Sequence, residues 1–201
     1  MADNDFQIYP DFLTALAANS YTQQLLEQIT WRQDKIKLFG REHCIPRQHQ
    51  WYADAGASYR WSGIEMQPLD WIAPLAELRT ELQQRTGHQF NSVLANLYRD
   101  GSDSMGWHAD DETELGAEPV IASISLGAER DFQIRRRNAG GAGQHGPATN
   151  LLLPHGSLLL MSGASQREWQ HSLPKRKRIS KPRINLTFRQ ITPSSRITAA
   201  A

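Results

Sequence analysis

A mainly β domain with flanking helices, an α+β architecture around a barrel or jelly-roll core, is the fold that this chain predicts. Three observations carry it. From residue 91 onward, short apolar segments recur at even spacing between turn-forming residues: about 92–98, 119–126, 130–136, 151–153, 156–161 and 183–189. The last of these alternates strictly. Ile184, Leu186 and Phe188 form one face, and Arg183, Asn185, Thr187 and Arg189 form the other. Helical periodicity is confined to the stretch before residue 90.

Residues 1–30 read as a helical lead-in. Ser20-Tyr21-Thr22-Gln23 has capping-box spacing, and Leu25, Leu26 and Ile29 follow at helical intervals. A single domain is expected over 31–192. Its first part, to Gly63, is aromatic-rich and broken by Pro46 and Gly56, which favours turns and short strands. Tyr59 and Trp61 share one face of such a strand. Asp70–Thr86 predicts a helix, with Trp71, Leu75, Leu78 and Leu82 on one stripe. Pro74 falls in its first turn and Gly87 ends it. The glycine-rich stretch within 137–150 is a loop, with His145 solvated, and 193–201 is a loose tail.

At 201 residues the chain is long enough for one full core. A net charge of +1 excludes a global basic field, so nucleic-acid contact would rest on local patches. Those patches are Arg135-Arg136-Arg137 and Lys175-Arg176-Lys177-Arg178 with Lys181, either phosphate contacts or solvated loops. A lone cysteine, Cys44, excludes a disulfide framework and suits a reducing compartment; it reads as a small buried or half-buried side chain. No basic-then-apolar leader opens the chain, and Leu151–Met161 is too short to span a membrane. A soluble, monomeric, cytoplasmic protein is expected.

The chemistry centres on Trp107-His108-Ala109-Asp110-Asp111. In extended backbone His108 and Asp110 point the same way. One further histidine would complete two imidazoles and a carboxylate, the facial set of non-haem Fe(II) oxygenases. His171 and His155 are the candidates, His155 being placed at a strand entrance between Pro154 and Gly156. Arg183 and Arg189 lie on one strand face with Asn185 and Thr187 between them, and each guanidinium fits a carboxylate bidentately. Asn96 and Tyr98 share a face upstream. An Fe(II) site beside a dicarboxylate pocket points to 2-oxoglutarate. The same three ligands on zinc would make a hydrolase, but would leave the Arg183–Arg189 face without a role. A non-enzymatic binding module is the other alternative, and the intact ligand set speaks against it.

Six segments in order extend this reading. They are Asn96-Leu97-Tyr98-Arg99-Asp100-Gly101, Trp107–Glu112, Ile121–Gly127, His155–Leu159, Trp169-Gln170-His171-Ser172-Leu173-Pro174 and Pro182–Arg189. Through them the chain, from about Trp31 to Ile191, resembles the AlkB-type Fe(II)/2-oxoglutarate-dependent dioxygenases, the nucleic-acid demethylases. Leu38-Phe39-Gly40 and Tyr59-Arg60-Trp61-Ser62-Gly63 are closest to the DNA-repair branch from animals.

The resemblance implies a double-stranded β-helix core with an N-terminal nucleotide-recognition lid over residues 39–63. It implies iron held by His108, Asp110 and His171. It implies 2-oxoglutarate held by Arg183 and Arg189, with hydrogen bonds from Asn96, Tyr98, Asn185 and Thr187, and O2 as co-substrate. The reaction implied is oxidative demethylation of 1-methyladenine- and 3-methylcytosine-type bases in single- or double-stranded DNA, RNA being the alternative. Formaldehyde and succinate would be released. Tyr59 and Trp61 would stack on the extruded base, Phe39 beside Gly40 would wedge into the duplex, and Arg41 and Arg60 would meet phosphates. Asp111 would attract the cationic base and accept from its exocyclic amine; its plainer role is a turn cap with Glu112.

Overall fold

The alternation in Arg183–Arg189 is realised inside a six-stranded antiparallel sheet whose two faces have different tasks. The structure, a computed structural model, describes residues 5–38, 40–57, 59–61, 64–66, 68–138, 141 and 143–192. In chain order these form β1 (Phe6–Tyr9), α1 (Ala15–Gln28), β2 (Lys35–Leu38), β3 (Arg41–Cys44), β4 (Gln48–Ala53), β5 (Tyr59–Trp61) and β6 (Ile64–Met66). There follow α2 (Ala73–Thr86), β7 (Ser92–Tyr98), β8 (Met105–His108), β9 (Ile121–Gly127), β10 (Arg130–Arg136), β11 (Thr149–Leu153), β12 (Ser157–Met161), α3 (Ser165–Glu168), β13 (Trp169–Leu173) and β14 (Arg183–Arg189). The large sheet runs β1-β12-β9-β14-β7-β4 and the smaller one β11-β10-β13-β8. Together they are the two-sheet jelly roll, or double-stranded β-helix. Hairpins β2-β3 and β5-β6 pair apart from both sheets.

Two cores divide the large sheet's side chains by parity. Ile184, Leu186 and Phe188 of β14, with Val93, Ala95 and Leu97 of β7, pack against Leu25 and Ile29 and against Leu75, Leu78 and Leu82 of α2. Each fully buried valine, leucine, isoleucine or phenylalanine among them is worth about 1.5–3 kcal/mol. The opposite face meets the small sheet through Leu94, Ile121, Phe132, Ile134, Leu159 and Met161. Arg183, Asn185, Thr187 and Arg189 lie on that inner face, so the polar stripe opens between the sheets.

Several elements depart from expectation. The lead-in carries strand β1, paired with β12, as well as its helix. That helix begins at Ala15, because extended Thr14 accepts from Ala17 N at 3.2 Å; Ser20 is interior to it. Helix α2 begins at Ala73 rather than near Asp70. Leu69 is committed to β4, with hydrogen bonds to Trp51 and Ala53, and holds the chain extended. Gly87 does end it, in the left-handed region at φ 75°. Cys44 is exposed rather than buried, since it ends β3, every residue of which faces solvent in a two-stranded hairpin. His145 is exposed, as expected. Among the described residues no helix is long and apolar enough to cross a membrane.

Candidate metal centre and active site

Two short strands of the small sheet, neither among the segments singled out as strands, bring the ligands together. β8 pairs with β13 so that His108 stands opposite His171, and Asp110 follows two residues on. The ring centroids are 4.1 Å apart, and ligand atoms of His108, Asp110 and His171 lie within 4.8 Å of one another. The carbonyl of Gly106, 2.9 Å away, can only accept, so His108 Nδ1 carries the proton and Nε2 keeps its lone pair. That nitrogen is 3.9 Å from Asp110 Oδ1. His171 stacks on Phe132 at 5.2 Å, and its Nδ1 is buried with no hydrogen-bond partner among the described residues.

The protonation states suit a cation. Burial pushes His171 down to about 3, reinforced by His108 and only partly opposed by Asp110. Burial likewise lowers His108. For Asp110 burial alone would raise the value, but Arg189 above all, with the two histidines, brings it to about 2. Two neutral imidazoles and one ionised carboxylate are therefore presented at once, and an orphaned buried nitrogen lies among them. This donor set fits Fe(II).

Asp110 is itself placed by two neighbours. Arg189 grips Oδ2 with Nη2 at 2.8 Å and Nε at 3.2 Å. Buried Gln166 accepts from the Asp110 amide at 2.9 Å. His155 is not part of the site. Its Nδ1 accepts from Gly127 N at 2.8 Å, which leaves Nε2 to donate to Asn19 Oδ1 at 3.1 Å.

The second half of the site is the β14 stripe and its neighbour β7, in a register that sets Arg183 beside Tyr98 and Asn185 beside Asn96. Arg183 is 2% exposed. It donates to Ser125 Oγ at 2.8 Å and lies over the Tyr98 ring, while its Nε is buried without a partner among the described residues. No ion pair to it is found among the described residues. Burial pulls this guanidinium down to about 10. A buried cation held by one hydroxyl and a ring face calls for an anion. Asn185 donates to Ser123 Oγ, and Thr187 donates to Asn185 Oδ1. A cavity of about 50 Å³ runs between the stripe and the metal ligands.

Some site residues carried no usable sign in the sequence. Arg47 is 4% exposed, donates to Asn96 Oδ1 at 2.9 Å and lines the cavity; a single arginine after Pro46 gave no clue. Gln166 was equally silent. Ser123 and Ser125 did have a signal, since two hydroxyls alternate within an otherwise apolar strand.

The substrate side is described in part. Gly40 turns between β2 and β3 at φ 78°, and Arg41 is exposed beside it. Phe39 lies outside the described residues. Tyr59, Arg60 and Trp61 form β5, paired with β6, and their side chains lie outside the described part. Asp111 does not line the cavity; it is paired with Arg137 at 2.8 Å. The arginine triplet is committed within the protein. Arg135 bonds Gln170 and covers Trp107, and Arg136 bonds Glu168. In the second basic run Arg176 pairs with Asp131, while Lys175, Lys177 and Arg178 are exposed.

The signature of the 2OG-Fe(II) oxygenase superfamily matches residues 5–189. The DNA oxidative demethylase ALKBH2 of Mus musculus is 42% identical over 176 residues, covering 87% of this chain and 74% of that protein. That of Homo sapiens is 42% identical over 168 residues, covering 83% and 64%. The alpha-ketoglutarate-dependent dioxygenase alkB homolog 3 of Mus musculus is 39% identical over 193 residues, covering 94% and 67%. The solved structure of OsALKBH1 superposes with a TM-score of 0.61 at 16% identity, covering 92% of this chain and 98% of that one, a likeness of fold alone.

Proposed function

The chain belongs to the 2OG-Fe(II) oxygenase superfamily, and on that premise we propose that it is an oxidative demethylase of N-alkylated bases, of the 1-methyladenine and 3-methylcytosine type, in DNA. One observation carries the reading: a His108–Asp110–His171 set opens onto the same cavity as Arg183, a buried guanidinium that has no carboxylate partner among the described residues. The substrate class follows from the relatives named DNA oxidative demethylase.

Iron(II) with 2-oxoglutarate and O2 supplies the oxidising chemistry: an N-methyl group is hydroxylated and lost as formaldehyde, while the co-substrate leaves as succinate and carbon dioxide. The residues supply placement. His108, Asp110 and His171 would hold the metal, their order fixed by Gly106 O, Gln166 and Phe132. Arg183, with Ser125 and Tyr98 behind it, would receive one carboxylate of 2-oxoglutarate. Arg189, already on Asp110, would meet the other beside the metal, with Asn96, Asn185 and Thr187 hydrogen-bonding along the stripe. The lid residues Phe39, Gly40, Arg41, Tyr59, Arg60 and Trp61, and Asp111, would handle the nucleotide. Action as a monomer in the cytoplasm belongs to the same proposal, the exposed Cys44 suiting a reducing compartment.

The test is formaldehyde and succinate release from oligonucleotides bearing one methylated adenine or cytosine, as single-stranded DNA, duplex DNA and RNA. Stoichiometric release from DNA is expected. Turnover of 2-oxoglutarate that no methylated oligonucleotide stimulates would refute the substrate class.

A further inference from the structure

We propose that Arg137 is a specificity-determining residue: it holds Asp111 as an internal counter-ion, and a cationic base gains that carboxylate only by displacing the guanidinium. The inference rests on the reading of the substrate as an alkylated base. Asp111, which follows Asp110 directly in the chain, lines a surface depression of about 370 Å³ in company with Arg137, Asn138, Gln166 and Arg167. Arg137 Nη1 donates to Asp111 Oδ2 at 2.8 Å and to the Gln166 carbonyl at 3.2 Å. Gln166 in turn accepts from the amide of ligand Asp110. The latch is thus built against the residue that positions the metal ligand.

Its base is fixed and its head is exchangeable. The Arg137 amide is tied to Glu168 O at 2.7 Å, and Asn138 turns the chain directly afterwards in the left-handed region at φ 52°. The two side chains, however, are 30% and 51% exposed, so the pair is weakly held. A methylated base of the 3-methylcytosine type offers Asp111 what Arg137 offers, a positive charge and an N–H donor. A neutral base lacks the charge and cannot make the exchange on equal terms. The latch therefore selects for charge as well as for shape.

The experiment compares single-stranded oligonucleotides that differ at one base, cationic 3-methylcytosine or neutral 3-methylthymine. KM and kcat for formaldehyde release are measured with the full chain and with Arg137→Gln, Arg137→Ala and Arg137→Lys, each also in an Asp111→Asn background. Removing the guanidinium should lower KM for the cationic lesion by about two- to fivefold, the worth of an exposed ion pair, and should not lower it for the neutral one. Arg137→Lys should restore the original preference, and Asp111→Asn should abolish the effect. An equal rise in KM for both lesions would overturn the proposal in favour of a phosphate contact. A fall in kcat alone would overturn it in favour of support for Gln166 and Asp110. If the unaltered protein releases formaldehyde from neither oligonucleotide, the demethylase reading itself has failed and the latch falls with it, an outcome distinct from the other two.

Discussion

Arg183 is the residue whose cost to the fold is best explained by a ligand. It is buried, held by Ser125 and the Tyr98 ring, and lowered by burial to about 10. A buried charge with no opposite charge beside it costs stability in the ligand-free protein, and an apolar side chain of similar volume removes that cost. Arg183→Met should therefore leave the melting temperature of the ligand-free protein unchanged or raised, and abolish the upward shift on adding 2-oxoglutarate. Arg183→Lys should keep the fold and raise the KM for 2-oxoglutarate steeply, because a point charge replaces a fork. A melting temperature that falls sharply in Arg183→Met, with the 2-oxoglutarate shift retained, would assign the residue to structure. The histidines divide in the same way. His171→Ala should abolish iron-dependent succinate release, whereas His155→Ala loses hydrogen bonds to Gly127 and Asn19, costs about 1 kcal/mol each, and keeps the metal. Retained turnover in His171→Ala, measured with iron in excess, would remove it from the ligand set.

Elements rather than residues decide how the substrate is reached. The β2-β3 hairpin stands off both sheets, β3 wholly in solvent, with Gly40 at its turn. A wedge there would touch a duplex without disturbing the core. Phe39→Ala should slow repair of double-stranded substrate strongly, within the few kcal/mol that unstacking costs, and of single-stranded substrate little. Equal loss on both substrates, with a lowered melting temperature, would place Phe39 in packing instead. The legibility of the chain also divides by element. β14 and β7 could be read because one face is core and the other polar, so period 2 is written twice over. Helix α2 could be read from its leucine stripe, but not its start, since Leu69 obeys a long-range pairing with β4 that no local signal shows. Thr14 outcompeted Ser20 as a cap for a similar reason: the helix is extended by packing under the large sheet. Arg47 and Gln166 act across sequence separations of 49 and 56 residues, which local pattern does not encode.

For the whole molecule, the site makes stability depend on protons and metal together. His49, His108 and His171 are all lowered, in each case first by burial, with His171 reaching about 3. In the unfolded chain their ordinary value is about 6.5. Below that pH the unfolded chain binds more protons than the folded one, so the stability these residues contribute is complete above pH about 6.5 and is lost as the pH falls. Asp110, lowered to about 2, adds a loss at more acid pH, below about 4. Metal binds the deprotonated ligands and so competes with the same protons. The metal-free protein should therefore melt progressively lower from pH 7 to pH 5. Mn(II), which fits the same donor set without supplying turnover, should raise the melting temperature more at pH 7.5 than at pH 6. At a hundred times the dissociation constant the gain is about 2.7 kcal/mol, which at about 2–4 °C per kcal/mol is roughly 5–11 °C. His171→Ala should lose the Mn(II) shift and flatten the acid slope, because it removes both a ligand and a buried proton acceptor. An unaltered slope and an unaltered shift in that variant would remove His171 from both roles and leave His49 and His108 as the source of the acid sensitivity.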